Sequence, residues 1–274
     1  MITVKIVDRN FRMVDYSSLN QKSQYMKWDR SPVEGDENVV FYTDHSIPQV
    51  NPNIKKKVAW LLEPQERKQK LYNWVKKNRD KFDVILTHNK SLLDLKDNFE
   101  FIPFGGCWIT PKEQKIYKKS KLISIIASGK KETKGHKLRH KVIKDIKKKF
   151  PNLLDVYGRG YNEIESKLIG LTDYSFHIVI ENSKKDYWFT EKLIDCFATG
   201  TVPLYWGCPS IGKFFDEKGI ITFHTEKQLY EIVKTLNQNQ YEDLLPAIKN
   251  NFVEAKKYAL AEDWLYINKK NIFE

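Results

Sequence analysis

Residues 176–207 read FHIVIENSKKDYWFTEKLIDCFATGTVPLYWG, and this stretch decides the fold. The hydrophobic run at 176–180 predicts a buried strand. Thr190 is a favoured helix N-cap and Gly200 stands where glycine commonly follows a helix, so a helix is predicted between them. A second apolar run, 201–206, follows at once. This order of strand, helix and strand predicts a βαβ unit of a parallel sheet.

Four polar residues lie where this unit is expected to bind a ligand. Glu181 and Asn182 follow the first strand, while Glu191 and Lys192 lie in the first turn of the helix. Ligands bind at the carboxyl ends of the strands in open α/β sheets, and free N–H groups at a helix start favour anions. A lysine in the first turn opposes the helix dipole, so an anionic partner for Lys192 is expected.

These positions resemble a known family. Glu-Asn-Ser at 181–183, Tyr187, Thr-Glu-Lys at 190–192 and the run Gly-Thr-Val-Pro-Leu-Tyr-Trp-Gly at 200–207 resemble the signature of glycosyltransferase family ten, the α-1,3/4-fucosyltransferases. The resemblance is dense over about residues 155–224 and weaker elsewhere. It implies a GT-B-like α/β fold, in which two Rossmann-like parallel-sheet domains face each other across a cleft. The first half would then bind the acceptor and the second half the nucleotide sugar.

Short apolar runs alternate with helical segments along most of the chain, which favours parallel sheets with crossover helices. The predicted strands lie at 3–7, 39–42, 58–62, 84–87, 122–127, 154–157, 176–180, 202–206 and 220–223. The predicted helices lie at 67–78, near Ser91, at 136–150 and, as three segments, after residue 225.

The rhythm breaks between residues 101 and 119, where proline, glycine and then lysine accumulate, and we place a linker there. The chain is accordingly divided into an acceptor-side α/β domain at 1–110 and a donor α/β domain at 120–250. Residues 251–274 form a C-terminal helical segment, and a return of this segment to the first domain is one interpretation.

The composition and charge of the chain limit the classes of function that it can have. The formal charge of the 274 residues is +12, which fits nucleic acid, an acidic membrane surface or an anionic small substrate. The lysines are dispersed and no nucleic-acid-binding module is recognised, so a nucleic-acid-binding protein stays only as the alternative from a different class. No apolar stretch is long enough to cross a bilayer and the N-terminus reads as a strand, so a cytoplasmic protein is expected, with peripheral membrane contact left open.

Two cations are predicted to bind the diphosphate of a nucleotide sugar. Lys192 is the first, with an ordinary surface lysine as the alternative. Arg139 is the second, because it borders the apolar stripe of the predicted helix and a guanidinium removed from water needs a partner. The stretch from Ser128 to Arg139 is similar to the family's loop-then-arginine segment, while an ion pair with a neighbouring carboxylate is the alternative. The resemblance also implies that Glu191 contacts hydroxyls of the nucleotide sugar.

The other donor-side candidates rest on the same cluster. Asn182 could hydrogen-bond a phosphate or the sugar, and Tyr187 could close over the donor. Glu181 is interpreted as holding the loop through backbone N–H groups. The weaker candidates are Lys130 and His136 from the basic loop, and Gly158, where glycine lets a ligand approach the backbone closely.

Glu63 is the predicted general base. It ends the run Lys56-Lys-Val-Ala-Trp-Leu-Leu-Glu63, which resembles the family segment that carries the proposed base, although Leu62 stands where the family usually has glycine. Its position after a predicted strand would point it into the expected cleft. Glu66 and Asp44 are the reserve candidates.

The resulting hypothesis is an inverting glycosyltransferase that moves fucose from GDP-fucose to a glycan hydroxyl. A related transferase that uses another nucleotide sugar and an inactive relative that only binds a glycan or nucleotide are the alternatives. No Asp-x-Asp motif stands in a plausible loop, and Cys107, Cys196 and Cys208 show no metal-ligand spacing, so neither a metal nor another cofactor is expected.

Overall fold

Two parallel β-sheets organise the chain in the computed structural model, which describes residues 1–9, 16–18 and 21–274. The described residues divide into two units. The first unit comprises residues 1–106, 186–188 and 260–274, and the second comprises residues 107–185 and 189–259.

The first unit contains a six-stranded sheet in which all neighbouring strands are parallel. Its strands are β1 (Ile2–Val7), β2 (Met26–Asp29), β3 (Val39–Thr43), β4 (Lys56–Trp60), β5 (Val84–Thr87) and β6 (Phe99–Phe101). Their spatial order is β2-β1-β3-β4-β5-β6. Helices α1 (Gln65–Lys77) and α2 (Lys90–Leu93) follow β4 and β5. Because side chains alternate along each strand, the sheet buries a separate apolar cluster on each face.

The second unit contains a five-stranded parallel sheet. Its strands are β7 (Lys121–Ile126), β8 (Leu154–Tyr157), β9 (Tyr174–Ile180), β10 (Val202–Trp206) and β11 (Ile221–Thr222). Their spatial order is β11-β10-β9-β7-β8. The helices of this unit are α3 (Lys134–Lys149), α4 (Glu191–Ala198), α5 (Glu226–Thr235) and α6 (Gln238–Ala255).

The strand order of the second sheet places a topological switch point beside β7. This strand pairs with β8 on one side and with β9 on the other. Right-handed crossovers from β7 to β8 and from β9 to β10 therefore run toward opposite edges, so α3 and α4 pack on opposite faces of the sheet. A crevice opens at the carboxyl ends of such strands, and both helices begin there.

All the strands and helices predicted from the sequence are present, including the three helices after residue 225, the last of which is α7 (Ala261–Asn268). Two short edge strands, β2 and β6, were not predicted, because charged residues interrupt their apolar pattern. Helix α3 begins two residues before the predicted start, which places Arg139 in its second turn.

The C-terminal boundary differs from the one drawn at residue 251. Helix α6 continues to Ala255, and the amide of Asn251 holds the backbone of Asp216, accepting from its N–H at 2.8 Å and donating to its carbonyl oxygen at 2.9 Å. Residues 251–259 thus belong to the second unit, and only residues 260–274, with α7, belong to the first. Among the described helices, none is long and apolar enough to cross a membrane.

Candidate active site

A cavity of about 750 Å³ opens in the second unit at the carboxyl ends of β7, β8 and β9. Its wall is formed by residues 127–130 after β7, residues 158–160 after β8, and Asn182 after β9, together with side chains from the first two turns of α3 and α4. The cavity therefore lies at the switch point, and its volume falls within the usual range for small-molecule sites.

Charged side chains of both signs line this cavity, with cations in excess. The lining cations are Lys130, Arg139, Arg159, Lys167 and Lys192, and the lining carboxylates are Glu191 and Asp195. The start of α4 adds the positive end of the helix dipole. An anionic ligand is therefore favoured.

The first turn of α4 is held by a buried carboxylate beneath it. Glu181 is fully buried and accepts hydrogen bonds from the backbone N–H and the hydroxyl of Thr190, at 2.9 and 2.8 Å. Thr190 caps the helix by accepting from the backbone N–H of Lys192. Glu181 thus fixes where α4 begins and does not line the cavity itself.

Lys192 is anchored by its neighbours. Its Nζ donates to the Thr190 hydroxyl and to Glu191 Oε1, both at 3.0 Å, and lies 3.7 Å from Glu181 Oε2. About a quarter of the side chain, 26 %, remains exposed. Two carboxylates therefore compensate the charge that opposes the helix dipole, and the ammonium still lines the cavity.

Glu191 is held in its ionised form. Burial alone would raise the pKa of Glu191, but Lys192 and Lys167 outweigh it and lower the pKa to about 2. Lys167 Nζ lies 2.6 Å from Asp195 Oδ2 and 3.8 Å from Glu191 Oε1. A carboxylate fixed in this way is a permanent hydrogen-bond acceptor on the cavity wall.

Arg139 crosses from α3 to the end of β9. Its Nε donates to the Ile180 carbonyl oxygen at 2.8 Å, and its Nη2 donates to the same oxygen and, at 2.8 Å, to Asn182 Oδ1. These partners are neutral, and the described residues offer this guanidinium no hydrogen-bonded carboxylate, contrary to the ion-pair alternative. Burial lowers the pKa of Arg139, while Glu181 and Glu191 oppose this effect. The guanidinium is thus positioned by neutral groups, and its charge stays available to a ligand.

Two glycines allow the backbone to pack tightly here. A Cβ on Gly135 would lie 1.8 Å from the Glu181 carbonyl oxygen, so only glycine lets α3 start against the end of β9. Gly158 has φ of +104°, and a Cβ there would lie 2.2 Å from the Ala127 carbonyl oxygen. Both glycines bring strand ends and helix starts close enough to form one wall.

The remaining donor-side candidates differ in role. His136 lines the cavity but is engaged in a capping box, with its backbone N–H donating to the Thr133 hydroxyl. Lys130 lines the cavity with an exposed side chain. Tyr187 is not among the lining residues. It belongs to the first unit, where its ring centroid lies 5.6 Å from that of Phe101, and its backbone is left-handed with φ of +61°.

Sequence reasoning missed several residues on this wall. Lys167, Asp195, His177 and Trp108 line the cavity beneath Glu191. Asp195 follows Glu191 by four residues, one helical turn, and this spacing was the available signal. His177 bonds through Nδ1 to the Ser124 hydroxyl at 2.7 Å, and burial lowers the pKa of His177 to about 3, so the ring is neutral.

Glu63 lies in the first unit, at the carboxyl end of β4. Its side chain is 32 % exposed and accepts from Arg67 Nη1 at 2.9 and 3.0 Å. The Asp44 carboxylate fixes the local backbone by accepting from the N–H of Leu62 at 2.9 Å and of Glu63 at 3.4 Å. Burial raises the pKa of Asp44 to about 6. Glu66 follows in the first turn of α1.

Among the described residues, no group of three or more His, Cys, Asp or Glu side chains is arranged to hold a metal ion.

Comparison with known proteins relates part of the second unit to a family. Residues 116–245 match the family model described as glycosyltransferase family 10 (fucosyltransferase) C-term. An α-(1,3)-fucosyltransferase of Helicobacter pylori is 33% identical over 104 residues, which are 36% of this chain and 22% of that protein. The matched part therefore spans less than a quarter of the relative's length.

Solved structures show the same fold at low identity. An α1,3-fucosyltransferase with GDP-fucose has a TM-score of 0.55 at 18% identity and covers 85% of this chain and 81% of its own. An α-glucosyltransferase in complex with UDP and a 13-mer DNA has a TM-score of 0.57 at 10% identity and covers 100% of this chain and 99% of its own. These neighbours have the GT-B fold, with two parallel-sheet α/β domains. Residues 116–245 are therefore similar to the C-terminal part of glycosyltransferase family 10, the fucosyltransferase family.

Proposed function

We propose that this protein transfers fucose from GDP-fucose to a hydroxyl group of a glycan, with inversion at the anomeric carbon and without a metal ion. One observation carries the proposal. The cations Arg139 and Lys192, which come from different helices, line one cavity together with the first turn of α4. A diphosphate leaving group needs such an arrangement, because negative charge grows on it as the bond to the sugar breaks.

The donor-side residues would act on this leaving group. Arg139 offers a planar guanidinium that can bind phosphate oxygens through two N–H groups. Lys192 would exchange part of its pairing with Glu191 and Glu181 for a phosphate oxygen. Glu191, kept ionised by Lys192 and Lys167, would accept hydrogen bonds from hydroxyls of the nucleotide sugar.

The transfer itself is a single displacement. The acceptor oxygen forms a bond to the anomeric carbon while the bond from that carbon to the phosphate oxygen breaks. The electron pair leaves with GDP, and Glu63 takes the proton of the acceptor hydroxyl. Attack from the face opposite the leaving group inverts the anomeric configuration.

A related transferase that uses another nucleotide sugar is the second candidate. The solved α-glucosyltransferase that matches the whole chain in fold is in complex with UDP, so the fold alone does not select the base. The name of the curated relative and the GDP-fucose of the other neighbour favour the guanine nucleotide.

A thermal-shift panel tests the donor. A ligand that binds only the folded state raises its stability in proportion to RT ln(1 + [L]/Kd). With EDTA present, we expect GDP and GDP-fucose to raise the Tm, and UDP and CMP to leave it unchanged. Lys192→Ala should lose this shift, whereas Lys234→Ala should keep it, because Lys234 is an exposed lysine outside the cavity.

Two results would contradict the proposal. The first is the absence of a shift with any nucleotide, and the second is a larger shift with UDP than with GDP. Inversion is tested separately, by NMR assignment of the anomeric configuration of the product.

A further inference from the structure

A second cavity, of about 390 Å³, lies within the first unit at the carboxyl ends of its strands. The ends of β1, β2 and β3 contribute to it, together with the segment that follows β3. Its polar lining consists of Asp8, Arg30, Ser31, Tyr42, Gln49 and Asn51. The site described above contains none of these residues.

Arg30 has an unsatisfied donor in this cavity. Its Nε donates to Asp8 Oδ2 at 2.8 Å, and the Asp8 side chain is fully buried. Its Nη2 is buried and has no hydrogen-bond partner among the residues that the structure describes. A buried donor without a partner is costly, and such groups in folded proteins call for a ligand or water. A ligand oxygen would satisfy Nη2.

Tyr42 provides a second donor. Its phenol oxygen accepts from the backbone N–H of Asn51 at 3.1 Å, and the described residues offer no acceptor for its hydroxyl hydrogen. Burial raises the pKa of Tyr42, so this hydrogen is retained at neutral pH. Gln49 and Asn51 supply amide groups that both donate and accept.

The charges of the described residues that line this cavity balance, unlike those of the larger cavity. Arg30 is paired with Asp8. The nearby Lys5 is paired with Asp29 at 3.0 Å and lies 3.8 Å from Glu37. Among the described lining residues, the single cation, Arg30, is matched by the carboxylate of Asp8, and the other polar lining groups are neutral hydrogen-bond donors and acceptors. A neutral ligand rich in hydroxyl groups fits this pattern.

The cavity is connected to the predicted base through one short segment. The 3₁₀ turn Asp44–Gln49 follows β3. At its start, the Asp44 carboxylate fixes the backbone of Glu63, and at its end, Gln49 lines the cavity. Strands β3 and β4 are neighbours, so the cavity and Glu63 share one edge of the sheet.

We propose that this cavity binds a neutral sugar residue of the glycan acceptor, with Arg30 and Tyr42 donating to its hydroxyl oxygens and the amides of Gln49 and Asn51 orienting it. The proposal rests on the proposed function, since it assigns the acceptor of that reaction to named residues. Its test is therefore separable from the test of the donor.

Saturation-transfer difference NMR on the full chain tests the binding. The neutral probes are methyl β-galactoside, methyl β-glucoside, N-acetylglucosamine and lactose, and the anionic probes are methyl β-glucuronide and glucose 6-phosphate. We expect saturation transfer to at least one neutral probe and a loss of at least tenfold in its affinity in Arg30→Gln. Arg79→Gln is the matched control, because Arg79 is an exposed, paired arginine of the same unit outside the cavity.

A second variant guards against misfolding. Gln49 is exposed, so Gln49→Ala should leave the fold intact and still weaken the neutral probe. In both cavity variants, the GDP-induced Tm shift should equal that of the wild type, which shows a folded donor unit. With the bound probe as acceptor, its KM should rise while the rate of GDP-fucose hydrolysis in water stays unchanged.

Each outcome is decisive. The inference is overturned if no neutral probe binds, if Arg30→Gln binds it normally, or if glucose 6-phosphate binds more tightly. If GDP binds but no sugar does, this inference alone fails. If a neutral sugar binds in this cavity but no nucleotide binds the protein, the proposed function fails and the sugar site stands.

Discussion

The two sheets end in carboxyl edges of different electrostatic character. At the five-stranded sheet, Lys167, Glu191 and Asp195 form a charge network on the cavity wall whose side chains are at most 19 % exposed. At the six-stranded sheet, Glu63 is about one-third exposed and has Arg67 as an exposed partner. The charges that we propose for the leaving group are thus built into the fold, whereas the carboxylate that we propose for proton transfer is more exposed and has a single exposed partner.

The largest loss of rate is expected at the carboxyl edge of the six-stranded sheet, where Glu63 lies. Glu63→Gln keeps the size of the side chain but removes the proton acceptor, so we expect the transfer rate to fall about 10²–10⁴-fold. The GDP-induced Tm shift should not change, because no donor-side contact is lost. Turnover by GDP release, measured beside the thermal shift, checks both. Near-normal turnover would move the base to Glu66 or Asp44.

The next largest loss of rate is expected at the carboxyl edge of the five-stranded sheet. Lys192→Ala removes one of two cations expected at the leaving group, and we expect about a 10²–10³-fold loss of rate. GDP binding should weaken as well, in contrast to Glu63→Gln. Isothermal titration with GDP measures the second effect. A Lys192→Ala enzyme that binds GDP normally would show that Lys192 does not contact the leaving group.

The sequence could predict those site residues that lie close together along the chain. Glu181, Asn182, Thr190, Glu191 and Lys192 lie on one strand-helix connection, so local patterns predicted their shared position. Strand β9 and helix α4 were predicted for the same reason, since each carries its own hydrophobic period.

Residues that meet only through the tertiary fold were not predicted. Lys167 reaches Asp195 across 28 positions, and Arg30 reaches Asp8 across 22 positions from the unpredicted edge strand β2. Tyr187 comes between β9 and α4 in the sequence, yet it belongs to the first unit and packs there on Phe101. No local pattern reports such contacts, because they depend on how distant segments of the chain pack.

A third prediction concerns how the stability of the protein depends on pH through Asp44, whose carboxylate bonds the backbone of Glu63. Burial raises the pKa of Asp44 from 3.8 to about 6, so the folded state holds this proton more tightly than the unfolded state. The free energy of unfolding should therefore fall as pH rises from about 4 to 6, by at most about 3 kcal/mol from this group. In Asp44→Asn this contribution should vanish, which favours the variant at pH 7 relative to pH 4.

Urea denaturation at several pH values measures this difference between wild type and Asp44→Asn. Asp83→Asn is a control, because Asp83 is an exposed carboxylate of the same sheet that lies just before β5, at the opposite edge from Asp44. Identical pH profiles for wild type and Asp44→Asn would show that Asp44 is solvated in the folded protein.

The smallest loss of rate is expected for Arg67, the partner of Glu63, which we expect to take no part in the transfer itself. Arg67 and Glu63 form a pair whose side chains are 34 % and 32 % exposed, and such pairs contribute about 0.2–1 kcal/mol. Arg67→Gln should therefore change the transfer rate by no more than about fivefold. A loss of a hundredfold would contradict this and assign Arg67 to the reaction itself. That result would also mean that the pair of Arg67 and Glu63, although about one-third exposed, is as important to the reaction as the charge network of the five-stranded sheet.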